Sequence, residues 1–453
     1  MEKLFTLLYS IVFMFITGFS QSCLPEGIEF SAQVQIDSFQ ANYPGCSLIE
    51  GNVIITGNEI NSLAGLSQIG QINGDLEIID VDSLINLTGL ESLGTIWGNL
   101  SIYNNIVLND ITALGTLKGT IHNLVISDNN NLNSLNGLEG LTDIGFNLAV
   151  VNNDLLTSLD GLSGITSIGH NLTIENNDHL LTLSGLESVS MVAAEISIDD
   201  NDSLQSLSAL IGIKRVYNQL KIFNNDALTN LSGLDSLESV GVHLNIWNND
   251  SLKSLTGLDH LKVITSELAI YNNDALVDLD PLESTTSIGH IRIDGNQRLK
   301  SLKGIDQIDP FSIYNITITN NDSLSICSVK CICEYLQTPD PSTFFENNAM
   351  GCNSLAEVET ACLTGGVELS CFNNPIPFRI YPSPANTHII IENQSSFSGD
   401  FSFSVLNTFG QQVINDEIAG SQTSIDIADL PRGIYFVKIT DCKNITVGKF
   451  VKQ

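Results

Sequence analysis

An apolar pair of the form L-x-I returns every 24 residues through most of this chain, and no other feature restricts the fold as tightly. Its first members are Leu76, Leu100, Leu124, Leu148, Leu172, Ile196, Leu220, Leu244 and Leu268. With one-residue slips the series reaches back to Val53 and forward to Ile291 and Ile316, so about twelve turns fill residues 53–326. A fixed period of this length predicts a solenoid in which each unit buries its apolar face only against its neighbours.

The unit Leu172 to Leu186 reads L-T-I-E-N-N-D-H-L-L-T-L-S-G-L. Leu172 and Ile174 alternate with polar residues, which places them on the inner face of a short strand. Asn176 and Asn177 turn the corner, since Asn tolerates left-handed backbone angles and hydrogen-bonds nearby backbone groups. Leu180, Leu183 and Leu186 return the chain along the core, with Gly185 as a second corner. Stacked at the ~4.8 Å strand spacing, twelve such turns make a rod about 55 Å long.

Stacking turns equal positions into columns. Asn58, Asn105, Asn129, Asn153, Asn177, Asn201, Asn225, Asn249, Asn273, Asn296 and Asn321 form one of them, interrupted by Val81, and read as a structural asparagine ladder. Phe223, Trp247 and Tyr271 take the outward position after L-x-I in three consecutive turns, with Tyr103 further up. Such a strip either covers itself along the sheet or stacks on a sugar or protein partner. Asp154, Asp178, Asp202, Asp226, Asp250 and Asp274 follow the ladder residue in successive turns. Backbone N–H groups at each corner, or calcium, would relieve the repulsion along this file; the glycine-rich calcium repeat of other β-rolls is absent.

The ends of the chain set its compartment. Leu4 to Ile16 is almost wholly apolar after Lys3, and small or polar residues follow at Gly18, Ser20 and Ser22, so residues 1–22 read as a secretory signal peptide. No later segment is long and apolar enough for a transmembrane helix. Lipidation at Cys23 is disfavoured by Ser20, which stands where an aliphatic residue is wanted. The cysteines avoid the repeats: Cys23 and Cys46 lie in an N-terminal cap, residues 23–52, and Cys327, Cys331, Cys333, Cys352, Cys362 and Cys371 in a C-terminal cap, residues 327–371. In an exported chain these are candidates for disulfides, and a loop closed by Cys23 and Cys46 contributes about 3 kcal/mol. The pairing within the second group stays open, a zinc site at Cys327, Cys331 and Cys333 rests on spacing alone, and Cys442 makes the count odd.

A formal net charge of −33 excludes nucleic acid as a partner. No G-x-S-x-G, H-E-x-x-H or phosphate-binding glycine loop occurs, and no cofactor is expected. His122 and His170 share a repeat position two turns apart, ~9.6 Å, too far to ligate one metal. A glycosidase pair needs two acids in unlike surroundings, whereas this chain repeats one environment. The chain therefore reads as a non-catalytic solenoid that binds a surface protein or glycan, or as a structural surface-layer component; a polysaccharide-acting β-helix enzyme is the remaining alternative.

The pattern N-N-D-x-L-x-x-L-x-G-L-x-x-(I/V/L), followed by L-x-I, resembles the bacterial repeats related to the receptor L-domain, a leucine-rich ligand-binding module. The resemblance covers about 60% of the chain. It implies a right-handed single-stranded β-helix, where periodicity alone also allows a leucine-rich-repeat horseshoe.

After Cys371 the period stops. Pro375, Pro377, Pro382 and Pro384 cluster, and alternating runs such as Phe401-Phe403-Val405 predict antiparallel strands, so residues 372–453 read as a small β-sandwich, Ig-like in the overall all-β assignment. Tyr381-Pro382-Ser383-Pro384-Ala385-Asn386, Val405-Leu406-Asn407 with Gly410, Leu430-Pro431-Arg432-Gly433-Ile434-Tyr435, and Lys449-Phe450-Val451-Lys452-Gln453 together resemble the type A sorting domain of the type IX secretion system of Bacteroidota. Ser383 replaces the usual Asn of the first block. The resemblance implies passage across the outer membrane by the type IX machinery, then release or attachment at the outer surface. The strands by themselves imply no function.

Overall fold

The structure is a computed structural model, which describes residues 21–338, 340–363, 378–393, 401–408, 411–418, 422–440 and 445–453. Residues 1–20 of the expected signal peptide 1–22, together with Cys371, Gly410 and Cys442, lie outside the described residues, while Gln21 and Ser22 begin a strand, Gln21–Cys23, paired in parallel with Cys46–Ile49. The chain divides into two compact units, Met1–Gly366 and Val367–Gln453.

Alternation of apolar and polar residues in L-x-I gives a short strand in each turn, four residues long from Val53–Thr56 to Leu220–Phe223, and these strands pair in parallel with their successors. Leu148 lies beside Leu172, Leu172 beside Ile196 and Ile196 beside Leu220, all in register. A second parallel ladder runs along the neighbouring side, built from shorter strands such as Ser167–Ile168, Met191–Val192 and Arg215–Val216. Strands on two sides of every rung make a β-helix. Between the ladders Leu172, Ile174, Leu180, Leu183, Leu186, Val189 and Val192 are fully buried, and their counterparts repeat in the other rungs. Each such side chain contributes roughly 1.5–3 kcal/mol when fully buried, but only if the rungs above and below exclude water.

The stack exceeds residues 53–326 by one rung at each end. Ile28–Phe30, inside the N-terminal cap, pairs in parallel with Val53–Thr56, and Thr343–Glu346, inside the C-terminal cap, pairs with Asn315–Thr319. The remaining cap residues close the open ends with short helices, Gln33–Asp37 and Phe39–Asn42 at one end, Lys330–Tyr335 and Leu355–Leu363 at the other. Phe39 packs edge-on against Phe30 at 5.6 Å between ring centroids. Cys23–Cys46, Cys327–Cys352 and Cys333–Cys362 are disulfide-bonded. Cys331 is a buried free thiol whose pKa burial pushes up, so it stays protonated.

The third side of each rung takes one of two forms. Gly89, Gly137, Gly185, Gly233 and Gly257 have φ between +109° and +117°. Each donates its N–H to the acid two residues on, as Gly185 does to Glu187 Oε2 at 2.8 Å and Gly233 to Asp235 Oδ2 at 2.7 Å. Other rungs carry a 3-10 turn instead, at Thr112–Leu114, Asp160–Leu162, Ser208–Leu210 and Asp280–Leu282. From residue 64 to residue 233 the two forms alternate, so the conformational repeat is two rungs long.

The C-terminal unit consists of two antiparallel sheets. One has the order Phe378–Tyr381, His388–Asn393, Gln422–Asp426; the other has Gln412–Ile418, Phe401–Leu406, Gly433–Thr440, Ile445–Lys452. Ile389, Ile391, Phe403, Val405, Ile425, Val437, Ile439 and Phe450 fill the space between them.

Candidate functional site

The chemistry of the solenoid lies in its columns. Buried Asn105, Asn129, Asn153, Asn177, Asn201, Asn225, Asn249, Asn273, Asn296 and Asn321 share one hydrogen-bonding pattern. Asn177 Nδ2 donates to Val150 O at 3.0 Å and Glu175 O at 2.9 Å, while its Oδ1 accepts the backbone N–H of Asn153 at 3.1 Å. The ladder gains Asn348, whose Oδ1 accepts from the Asn321 backbone at 3.1 Å. It does not include Asn58, which is exposed. Val81 therefore sits at the end of the ladder, where it donates its own N–H to Asn105 Oδ1 at 3.1 Å.

A second ladder occupies the corner just before L-x-I. The N–H of Asn123 donates to Asn99 Oδ1 at 3.1 Å, that of Asn147 to Asn123 Oδ1 at 2.9 Å, that of Asn171 to Asn147 Oδ1 at 3.3 Å, and that of Glu195 to Asn171 Oδ1 at 3.1 Å. There it stops. The column continues as Gln219, His243, Glu267, His290 and Asn315. In this part strands lengthen to His243–Trp247, Val263–Tyr271 and Ser287–Asp294, and backbone pairing carries through the corner, with His243 beside Glu267 and Glu267 beside His290. Once the backbone satisfies its own corner, the side chains of this column are free to face outward.

They face outward beside the aromatic file. Phe223, Trp247 and Tyr271 stand in register on adjacent strands, with ring centroids 5.7 Å and 5.5 Å apart and planes about 30° from parallel. The rings cover one another's faces along the file and present their edges. Tyr103 lies in the same column but five rungs away, beyond Ser127, Val151, Glu175 and Asp199, so it does not belong to the strip. Trp247 Nε1 and His243 Nδ1 are buried without a hydrogen-bond partner, the two such side-chain atoms among the described residues. His243 Nδ1 lies 3.7 Å from Glu267 Oε2, an ion-pair distance for a protonated ring but too long for a hydrogen bond. The Arg292 guanidinium is 3.5 Å from Glu267 Oε1 and half exposed. His243, Ser266, Glu267, His290, Arg292, Asn315 and Thr317 line an open hollow of about 410 Å³. Sequence reasoning found the aromatics and missed this hollow, whose signal was the break in the asparagine column after Asn171.

The six acids Asp154, Asp178, Asp202, Asp226, Asp250 and Asp274 form a largely exposed file. The anticipated backbone hydrogen bonds to their carboxylates are not made; the ladder asparagines and main-chain turns such as Leu180 N–H to Asn177 O satisfy the corner instead. Burial, and then the neighbouring acids, hold the Asp202 and Asp250 carboxyls above the ordinary value. Among the described residues no group of three or more His, Cys, Asp or Glu is placed to hold a metal. His122 and His170 are exposed corner residues, the first edge-on to Phe146 at 5.6 Å and the second with Nδ1 3.0 Å from Asn147 Oδ1.

Asp199 continues the aromatic column one rung before Phe223. Burial first, then Asp200 and Glu175, raise its carboxyl to about 7. A carboxyl raised on folding stabilises the fold fully below its unfolded pKa, and that contribution is lost as pH rises through the folded value. Asp199→Asn keeps an oxygen for Asn224 Nδ2 but cannot ionise. It is expected to flatten the fall in melting temperature between about pH 4 and pH 7 and to raise it by about 2 °C at pH 8, read by calorimetry at several pH values.

In the C-terminal unit the sequence landmarks close on one another. Ser383 Oγ accepts the Val451 N–H at 3.1 Å, Ala385 N–H donates to Val451 O at 2.8 Å, and Gln453 N–H donates to Ala385 O at 2.9 Å. The Pro382–Pro384 segment is thereby fastened to the last strand. Gly433 opens the strand that carries Tyr435 inward, where its ring stacks on Phe450 at 5.5 Å and its hydroxyl donates to Pro431 O at 2.9 Å; Lys449 is exposed. Residues 379–453 match the family described as the secretion system C-terminal sorting domain. The protein is exported to the cell surface or the extracellular space. Its sorting domain is of the type IX kind, which the type IX machinery handles. No curated protein matches the chain. Among the described residues no helix is long and apolar enough to cross a membrane.

Proposed function

We propose that this exported β-solenoid is a non-catalytic binding protein of the cell surface, and that the outer face around Trp247, Tyr271 and the His243–Thr317 hollow is its recognition face. One observation carries the reading. Where the corner asparagine ladder ends, the chain places aromatic, imidazole, carboxylate and guanidinium side chains together on one sheet face, and leaves Trp247 Nε1 and His243 Nδ1 unpaired. Unpaired buried donors and acceptors cost about 1–3 kcal/mol each, a cost that a sheet face serving stability alone has no reason to carry. The resemblance of the repeats to the receptor L-domain supports the same role. Against catalysis, Asp199, whose carboxyl is raised to about 7, does not line the hollow.

The ring spacing of 5.5–5.7 Å favours a second reading, in which the aromatics stiffen a structural surface component by covering each other. The double substitution Trp247→Ala/Tyr271→Ala separates the two. Binding to cells and to glycan arrays is expected to fall at least tenfold with the melting temperature nearly unchanged. An unaltered binding profile together with a large loss of melting temperature establishes the structural reading instead.

A further inference from the structure

The hollow also specifies the chemistry of its ligand, an inference that rests on the binding role proposed above. Three of its lining residues, His243, His290 and Arg292, are basic, and Glu267 is its one acid. Glu267 is shared between the His243 ring at 3.7 Å and the Arg292 guanidinium at 3.5 Å, so neither base is saturated. A guanidinium has five donors in a planar fork that matches a carboxylate; Arg292 also hydrogen-bonds the Tyr271 side chain, which ties the hollow to the aromatic file and leaves the rest of the fork for a ligand. The His290 ring packs on Tyr314 at 5.6 Å, which fixes it at the far side of the hollow. Thr317 Oγ1 donates to Asn315 Oδ1 at 3.1 Å and Asn315 Nδ2 to Ser342 Oγ at 2.8 Å, so these two add an uncharged polar wall whose oxygens can still accept.

The distribution of charge along the chain points the same way. Of the Lys and Arg residues between 21 and 363, only Lys118 precedes Lys214; the others all fall in the later rungs and the C-terminal cap. Residues 53–213 carry 19 Asp and Glu against one Lys and repel an anion; residues 214–326, still net acidic with 14 Asp and Glu against nine Lys and Arg, repel it far less. On these rungs the hollow and the aromatic file share strands, His243 with Trp247 and Glu267 with Tyr271. Between them Asn245 and Ala269, although outward in register, are covered by their neighbours, so the two features form one continuous surface. Carboxylate-binding groups next to ring edges and amide and hydroxyl groups suit a ligand that is both anionic and polyhydroxylated.

We propose that this surface binds an acidic polysaccharide, with a uronate carboxylate on Arg292 between His243 and His290 and the adjoining sugar residues against Trp247 and Tyr271. The test is titration calorimetry on the purified full chain with oligogalacturonate, and with the neutral galactose oligomer of the same length. The uronate is expected to bind, to bind at least tenfold more tightly than the neutral sugar, and to weaken about tenfold on Arg292→Gln and on Trp247→Ala. Neutral and acidic oligomers bound equally, both lost on Trp247→Ala, overturn the uronate assignment and leave the binding face standing. No binding of either sugar, with cell binding still lost on Trp247→Ala/Tyr271→Ala, overturns the glycan assignment in favour of a protein partner. Cell and sugar binding both indifferent to that double substitution overturn this inference and the recognition face together. Arg292 is half exposed, so Arg292→Gln leaves folding intact, checked by its melting curve.

Discussion

Asn177→Ala is expected to destabilise the solenoid by about 4 kcal/mol, as is the same change at the equivalent asparagines of the ladder's middle. The side chain is fully buried; its removal strands the Asn153 N–H, which donates to Asn177 Oδ1 at 3.1 Å, in a dry interior, and takes from the Val150 carbonyl the 3.0 Å bond from Asn177 Nδ2 that supplements its strand pairing. Glu175 O is affected less, because it also accepts the Asn152 N–H at 3.0 Å. The natural Val81 shows when an apolar residue is tolerated. It lies at the ladder's end, and the rung before it carries the exposed Asn58, so no inner N–H depends on an acceptor at that position. Urea unfolding of wild type and variant measures the difference; a loss below about 1 kcal/mol would show that the ladder is decorative.

Gly185→Ala should cost about 3 kcal/mol by a different route. Gly185 holds φ at +109°, which an L side chain rarely adopts, and a Cβ there would lie 1.9 Å from Leu159 O on the preceding rung. Neither the backbone nor that carbonyl can move freely, since Leu159 N–H donates to Ser184 O at 2.8 Å. Ala209 occupies the corresponding position of the next rung, which carries a 3-10 turn and no positive φ there. The variant therefore also tests whether a rung can change form. Unfolding that matches wild type would mean that rung 172–195 adopts the 3-10 turn at little expense.

Which form a rung takes was present in the sequence but not in the period. Gly185, Gly233 and Gly257 are followed two residues later by Glu187, Asp235 and Asp259, whose carboxylates accept the glycine N–H. Ala113, Gly161 and Ala209 have no acid there and fall in 3-10 turns; the rule ends with the regular period, since Gly304 is followed by Asp306 and still lies in a 3-10 turn, its acid accepting the Lys330 N–H instead. A 24-residue comparison averages over this difference. The cap boundaries failed for a related reason: Ile28–Phe30 and Thr343–Glu346 lack the L-x-I signature, yet any alternating strand of the right length can pair with the open edge of a stack. Asn348 is buried on the last rung by the same rule, although Thr343–Glu346 stands 27 residues from the rung it covers.

The recognition face was legible in one column and hidden in another. Phe223, Trp247 and Tyr271 are conspicuous because three large aromatics share a repeat position. His243, Glu267, His290 and Arg292 are not, since the first three lie at a corner and the last two follow a slip in the period. Each looks like a solvated surface residue until the register places them within one hollow.

The sequence by itself determined that the chain coils, which side chains point inward, that asparagine lines a corner, and that the last 75 or so residues form an export domain. All of these follow from local periodicity or from contiguous motifs, because neighbours in the fold repeat one another in the chain. Only the tertiary structure decided where the coil stops, which cysteines join, and which outward side chains meet. Those depend on where the corner backbone bonds to itself rather than to asparagine, and that is a property of several rungs at once.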